Sequence, residues 1–316
     1  MVGHGGLYGP LRAGSTLHDS AFGATCWAMR PSGPRSTLIG SLPTGPMPTG
    51  PILTGPMEDA IAALVRRHDP DRFLTALFAP PEHRDALLTL YAFDHELARA
   101  REVTSEPHLA LIRLHWWREV VEGERRRHEV ATPLAALLDT GRLAPEALLP
   151  IIDAYETEAE PCIETLSQWR TWLLEGAGGI AVAAGRLLGA EDPETLRPIG
   201  AAFGAARVVR WNHTQARRGR CLLPADVLAE VGLSVHEAIA APDSPAVRQV
   251  LRRLAAEGEG LLAQTRSGRI PRGVIAAALP GVLARRDLRR GPEPQPAPRG
   301  LADRLAVTWA GLAGKL

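Results

Sequence analysis

The sequence predicts an all-α fold, and three observations carry that reading. From Glu58 onward, apolar residues recur with the helical period almost throughout. Alternating strand-like runs are scarce. Residues that favour strands are few, with three Tyr and five Phe in 316 residues. At 45% hydrophobic, the chain is long enough to bury a sizeable core.

Taken in order, the first 56 residues stand apart. They hold 19 of the chain's 58 glycines and prolines and only four charges, Arg12, Asp19, Arg30 and Arg35. Within them, 43–57 reads PTGPM, PTGPI, LTGPM, a degenerate repeat whose Pro-Gly density opposes helix and sheet alike. A disordered tail over 1–56, or a start codon placed too early with Met57 as the functional start, is the expectation. A transit peptide is the rival, although it would need an amphipathic helix here. No apolar core of a secretory signal is present. A single helical domain is expected over 57–316.

In that domain Leu87, Leu90, Tyr91 and Ala98 share one helix face. Pro107 can open the next helix, which runs through Leu111, Leu114 and Trp117 and stops near Gly123. Further helices are expected over 146–160, 163–188, 194–218, 246–265, 274–285 and 301–316. Gly176, Gly178 and Gly179 weaken the second of these and signal close helix packing or close approach of a ligand. The last places Leu301, Leu305, Trp309 and Leu312 on one face, a stripe suited to core packing or to a membrane surface. The uncharged stretches reach only half a membrane span, so no transmembrane helix is expected.

Charge and cysteine narrow the function. The net charge of +1 moves to −1 without the tail, which argues against a nucleic-acid partner. Three scattered cysteines make neither a disulfide framework nor a zinc cage. The basic residues are arginine except Lys315, the composition of a GC-rich, bacterial genome. No nucleophilic triad and no phosphate-cradling glycine loop is evident.

Two segments carry the chemistry. One is Tyr91-Ala-Phe93 through Ser105-Glu-Pro107, followed by Arg113-Leu-His-Trp-Trp-Arg118. The other runs from Gly200 to Gly219-Arg-Cys-Leu-Leu-Pro224. Together with the helical layout they resemble the squalene/phytoene synthase family, whose members condense two prenyl diphosphates head to head. The resemblance covers roughly 69–235. It implies an isoprenoid synthase-like helical bundle around a central cavity, with aspartates four residues apart on two facing helices holding magnesium against diphosphate.

This sequence departs from the pattern on both walls. Aligned on Tyr91-Ala-Phe93, the first acidic motif falls at Ala98, Arg99 and Glu102, and only Glu102 is an acid. Asp94 shares its stripe, but eight residues separate the two, roughly 12 Å of rise and too far to grip one ion. Aligned back from Gly219-Arg220, the second motif falls at Trp211 and Gln215, and the family's amides fall at Gly204 and Arg207. A diphosphate could still meet Arg207 or Arg210. Arg217, Arg218 and Arg220 could do so too, but they sit at an expected helix end, and solvated cations that favour its dipole are the stronger reading there.

The degenerate pattern, with Glu96-Leu-Ala98 before 103–106 and Arg210-Trp-Asn-His213 at the second wall, resembles the family's complex I assembly factor branch. That resemblance implies a non-catalytic assembly or maturation factor with no metal and no cofactor. Its partner would be a respiratory complex I subunit or assembly intermediate. The expected location is the bacterial cytoplasm, with attachment to the inner membrane face left open. The alternative is an active prenyl-diphosphate transferase using magnesium and displaced acids, Asp94, Glu102 and Glu158. Cavity-facing candidates are Phe93, Glu96, Arg113, Trp117, Arg207, Arg210, Trp211, His213 and Gln215. A third reading is an apolar or prenyl ligand in a surviving tunnel lined by Phe93, Leu97, Trp117, Gly178 and Val208.

Overall fold

The computed structural model describes residues 56–102, 107–160, 162–265, 270–293 and 297–316. The chain divides into two units, Met1–Pro51 and Ile52–Leu316. All described residues belong to the second, so the expectations for the tail lie outside them, as does 103–106 of the first motif.

Among the described residues every regular element is helical. The first half comprises α1 (Pro56–His68), α2 (Pro70–Ala76), α3 (Pro81–Glu102), α4 (Pro107–Glu122), α5 (Ala131–Asp139), α6 (Pro145–Ala159), α7 (Leu166–Glu175) and α8 (Ala177–Leu187). A short 3₁₀ turn leads into α9 (Arg197–Arg217), followed by α10 (Ala225–Glu230), α11 (Val235–Ala240), α12 (Pro245–Ala263), α13 (Ile275–Ala278), α14 (Pro280–Arg290) and α15 (Leu301–Ala313). No described helix is long and apolar enough to cross a membrane.

Local chemistry sets the boundaries. Seven of these helices have proline at their first position, where the missing N–H is no loss: α1, α2, α3, α4, α6, α12 and α14. Asp69, Thr165, Ser234 and Ser244 cap α2, α7, α11 and α12, each accepting a backbone N–H from the first turn.

Two continuous helices expected from periodicity are broken. The span 163–188 divides at Gly176, whose φ and ψ of −74° and −89° end α7 and start α8. The span 274–285 divides before Pro280, which cannot donate the bond that would continue α13.

Two apolar clusters build the interior. One joins α1, α3, α4, α5, α6 and α8; the other joins α7, α9, α10, α12 and α14. Helix α9 is the shared wall, buried along nearly all of 199–212 and packed on α7, α8, α12 and α14. Small residues allow the α8–α9 approach. A Cβ on Gly200 would stand 2.4 Å from the Ala177 carbonyl oxygen, and one on Gly178 would stand 2.9 Å from that of Arg197. The glycines at Gly178 and Gly179 are therefore helix-packing residues. Neither lines the cavity described next.

Candidate functional site

A cavity of about 840 Å³ opens between α2, α3, α6, α7 and α9 and the segment before α15. That is within the usual range for small-molecule sites, roughly 300–1,000 Å³. Part of its wall is apolar, with Phe73, Leu74, Trp172, Leu173, Phe203 and Val208. The rest is charged: eight arginines and four carboxylates line it.

Asp94 is the centre of the charged wall. It lies in the middle of α3, buried, and accepts hydrogen bonds from the Arg72 guanidinium and from the Tyr155 hydroxyl at 2.8 Å. Burial alone would raise the Asp94 carboxyl. Arg72, Arg207 and the hydrogen bond from Tyr155 outweigh it and hold the group below the usual carboxylate range.

Arg72 in turn is placed by α2. Asp69 caps that helix, accepting from the Arg72 backbone N–H at 3.0 Å, and its other oxygen stands 3.6 Å from the guanidinium. The Arg72 guanidinium also lies 5.3 Å and 5.4 Å from the ring centroids of Tyr91 and Phe203. Burial would lower its pKa, but Asp94 and Asp69 raise it above the ordinary value, so the cation persists. Tyr91 and Tyr155 are both pushed up, chiefly by burial, and stay neutral, Tyr155 as the donor to Asp94.

Arg207 reaches Asp69 from α9 at 3.7 Å. Its side chain is 44% accessible although it is deeply set among protein atoms, as befits a group on a cavity wall. Glu158 pairs with Arg220, both side chains nearly buried. Arg220 is thus a paired wall residue and not the solvated helix-end cation that its position suggested. At the far side Arg299 grips Asp71 at 2.6 Å and Asp287 at 2.6 Å, and Arg210 joins Asp287 at 3.0 Å.

Every described carboxylate on the wall is therefore paired with a guanidinium: Asp69 with Arg72 and Arg207, Asp71 with Arg299, Asp94 with Arg72, Glu158 with Arg220. Among the described residues no group of three or more His, Cys, Asp or Glu is placed to share a metal ion. Of the positions where the resemblance sets metal-binding acids, three face the cavity, while Arg99 does not line it. Ala98 lies on the α3 wall, and Trp211 and Gln215 lie on the α9 wall. None can offer a carboxylate. Gln215 Oε1 is buried with no hydrogen-bond partner among the described residues.

Of the residues singled out from sequence, Asp94, Glu158, Arg207, Val208, Arg210, Trp211 and Gln215 line the cavity. Arg210 does so with its guanidinium committed to Asp287 and the Ala297 carbonyl. Glu102 closes α3, and its side chain lies outside the described residues.

The others are elsewhere. Phe93 and Leu97 lie one helix step from Asp94 and Ala98, roughly 100° around α3, and so are fully buried in the core behind the wall. Trp117 packs edge-on against Phe93 at 5.5 Å and Trp116 against Trp117 at 4.9 Å, so neither tryptophan reaches the cavity. Glu96 pairs with Arg99 at 2.7 Å, and Arg113 is exposed on α4. His213 turns away from the cavity to Asp243, 3.3 Å distant. On the same helix as Glu158, Glu156 and Asp153 both accept from Arg118, at 2.9 Å and 2.6 Å.

Reasoning from sequence missed Asp69, Arg72 and Tyr155. Asp69 before Pro70 did carry a helix-capping signal. Nothing in the spacing of Arg72, Asp94 and Tyr155 announces their meeting.

Comparison with known proteins adds an independent line. The family model described as squalene/phytoene synthase matches residues 65–299. The NADH dehydrogenase (ubiquinone) complex I, assembly factor 6 of Mus musculus is 26% identical over 228 residues, 70% of this chain and 68% of that one. Its Homo sapiens counterpart is 25% identical over 279 residues, 84% and 81% of the two chains. Among solved structures, a dehydrosqualene synthase in complex with ligand superposes with a TM-score of 0.64 at 12% identity, over 81% of this chain and 95% of that one. The squalene synthase HpnC from Alicyclobacillus acidocaldarius gives 0.55 at 18% identity, over 74% and 92%. At such identities the two structures speak for the isoprenoid synthase-like fold alone.

Proposed function

The chain belongs to the squalene/phytoene synthase family, and from that membership we propose that it is a non-catalytic assembly or maturation factor of the respiratory complex I type. One observation carries the proposal: the cavity keeps its place, but its carboxylates are neutralised by arginines. Ala98, Trp211 and Gln215 stand where two facing metal walls would be. Magnesium needs hard oxygen ligands with charge to spare. Asp69, Asp94 and Glu158 each have a guanidinium within ion-pair distance, and this donor set does not suit the metal. The similarity to complex I assembly factors supports the same reading.

What remains is a binding cavity. Its apolar side can hold a prenyl or other apolar chain. Its excess of arginines suits an anionic head, and Gln215 Oε1 offers an unused acceptor. In native cells, the tagged chain is expected to co-purify with a complex I subunit or assembly intermediate, and its deletion to lower NADH dehydrogenase activity. Normal complex I in the deletion strain would contradict the proposal.

A second reading has one observation in its favour. Asp94 and Glu158 share the cavity with Tyr155 between their fields, an acid set displaced from the family's positions. It requires an active prenyltransferase, and turnover of farnesyl or geranylgeranyl diphosphate with magnesium separates the two readings.

A further inference from the structure

The outward face of α15 has no protein covering it among the described residues. The helix packs on α14 and buries Asp303, Val307, Ala310 and Gly311. On its other side Leu301, Leu305, Trp309 and Leu312 are 72%, 58%, 76% and 63% exposed, more than most large apolar side chains of the described molecule. Their spacing of four, four and three residues makes a single stripe along the helix.

The charges on this helix are sorted by side. Its one acidic side chain, Asp303, turns inward and is held by Arg286 and Arg290, each at 2.6 Å. The exposed residues of 301–316 include Arg304 and Lys315 and no acidic side chain. At thirteen residues, roughly 20 Å, the helix is too short to cross a bilayer. An apolar stripe with a tryptophan, flanked only by cations, matches the chemistry of an anionic lipid surface, where leucines enter the acyl boundary and cations meet phosphates.

The stripe also adjoins the cavity. Arg304 lies between Leu301 and Leu305 and lines the cavity together with Arg66 and the half-exposed Leu77. Gly311 seats α15 against the neighbouring Phe78, whose ring leaves no room for a Cβ there. A membrane beneath α15 would therefore stand at the cavity's rim.

We infer that α15 docks in the plane of an anionic membrane surface, with Trp309 and the three leucines inserted, Arg304 and Lys315 on headgroup phosphates, and the cavity mouth at the lipid. The full chain should co-sediment with vesicles of phosphatidylcholine containing phosphatidylglycerol and not with phosphatidylcholine alone, and salt should weaken the binding. The double variant Leu305→Gln/Leu312→Gln should bind about tenfold more weakly or worse, because two exposed leucines lose their apolar insertion. Ile112→Gln, which removes an equally exposed side chain on α4, should bind as the unaltered chain does. Brominated lipid should quench emission in the unaltered chain and less in Trp309→Phe, a readout that does not depend on the double variant folding. No partition to phosphatidylglycerol vesicles would overturn the inference. So would binding that is unchanged in the double variant with quenching unchanged in Trp309→Phe, or a concentration-dependent dimer, lost in the double variant, with no vesicle binding.

Discussion

Asp94 gives up most of its hydration to sit in the wall, and it keeps its charge only through its neighbours. Arg72 and Tyr155 replace the lost water, and Asp69 anchors Arg72. Removing one partner of such a pair leaves an uncompensated buried charge. Asp94→Asn should therefore lower stability by about 3 kcal/mol in denaturant unfolding. Adding Arg72→Met should recover part of that loss, a coupling that a double-mutant cycle measures. Asp303 makes a separate prediction about pH. Burial would raise its carboxyl, but hydrogen bonds from Arg290 and Arg286 and the charges of Arg290 and Arg299 lower it to about 2, from an ordinary 3.8. A carboxyl depressed in the folded state stabilises fully above its unfolded value and loses that contribution as pH falls through the folded one. Asp303 should thus contribute about 2 kcal/mol above pH about 4, fading between about 4 and 2. Acid titration of stability in Asp303→Asn should show a correspondingly flatter slope across that window.

At the scale of elements, α3 and α9 make the site because each presents two different faces. On α3, Asp94 and Ala98 face the cavity while Phe93 and Leu97 face the core. The sequence carries the period of that helix but not its rotation, so a motif containing Phe93 and Asp94 side by side could not say which one looks inward. On α9 the motif alignment did find the wall at Trp211 and Gln215, because those positions are tied to a helix end at Gly219. His213 fell on the other side of the same helix and was misplaced. Gly178 and Gly179 of α8 were legible as packing residues, but the break at Gly176 was not, since the apolar period runs on through it. Close approach of α8 and α9 fixes the position of Arg207 and Gly204 on the wall. Gly200→Ala, which drives a methyl into the Ala177 carbonyl and side chain of α8, should cost about 1–3 kcal/mol in thermal or denaturant unfolding. A matched Gly260→Ala, with open space at its Cβ, should not be destabilising.

At the scale of the whole molecule, a family fold carries a cavity wall of ion pairs. The bundle of helices and its two apolar clusters surround a cavity of about 840 Å³ with one apolar side. The fold was readable from periodicity because helices repeat their pattern over many residues. The ion pairs that define the wall were not, since Arg72 meets Asp94 across 22 residues and Arg220 meets Glu158 across 62, with no local pattern to mark either. Those pairs are the physical content of the proposed function. A metal cradle requires carboxylates that are free to bind cations; here the cations are already part of the protein. The direct test is incubation of the purified full chain with farnesyl or geranylgeranyl diphosphate and magnesium, followed by extraction and analysis of the products. Substrate should be recovered unchanged, with no squalene, phytoene or cyclopropyl intermediate. Steady magnesium-dependent formation of any of these, abolished by Asp94→Asn in a variant that still folds, would contradict it.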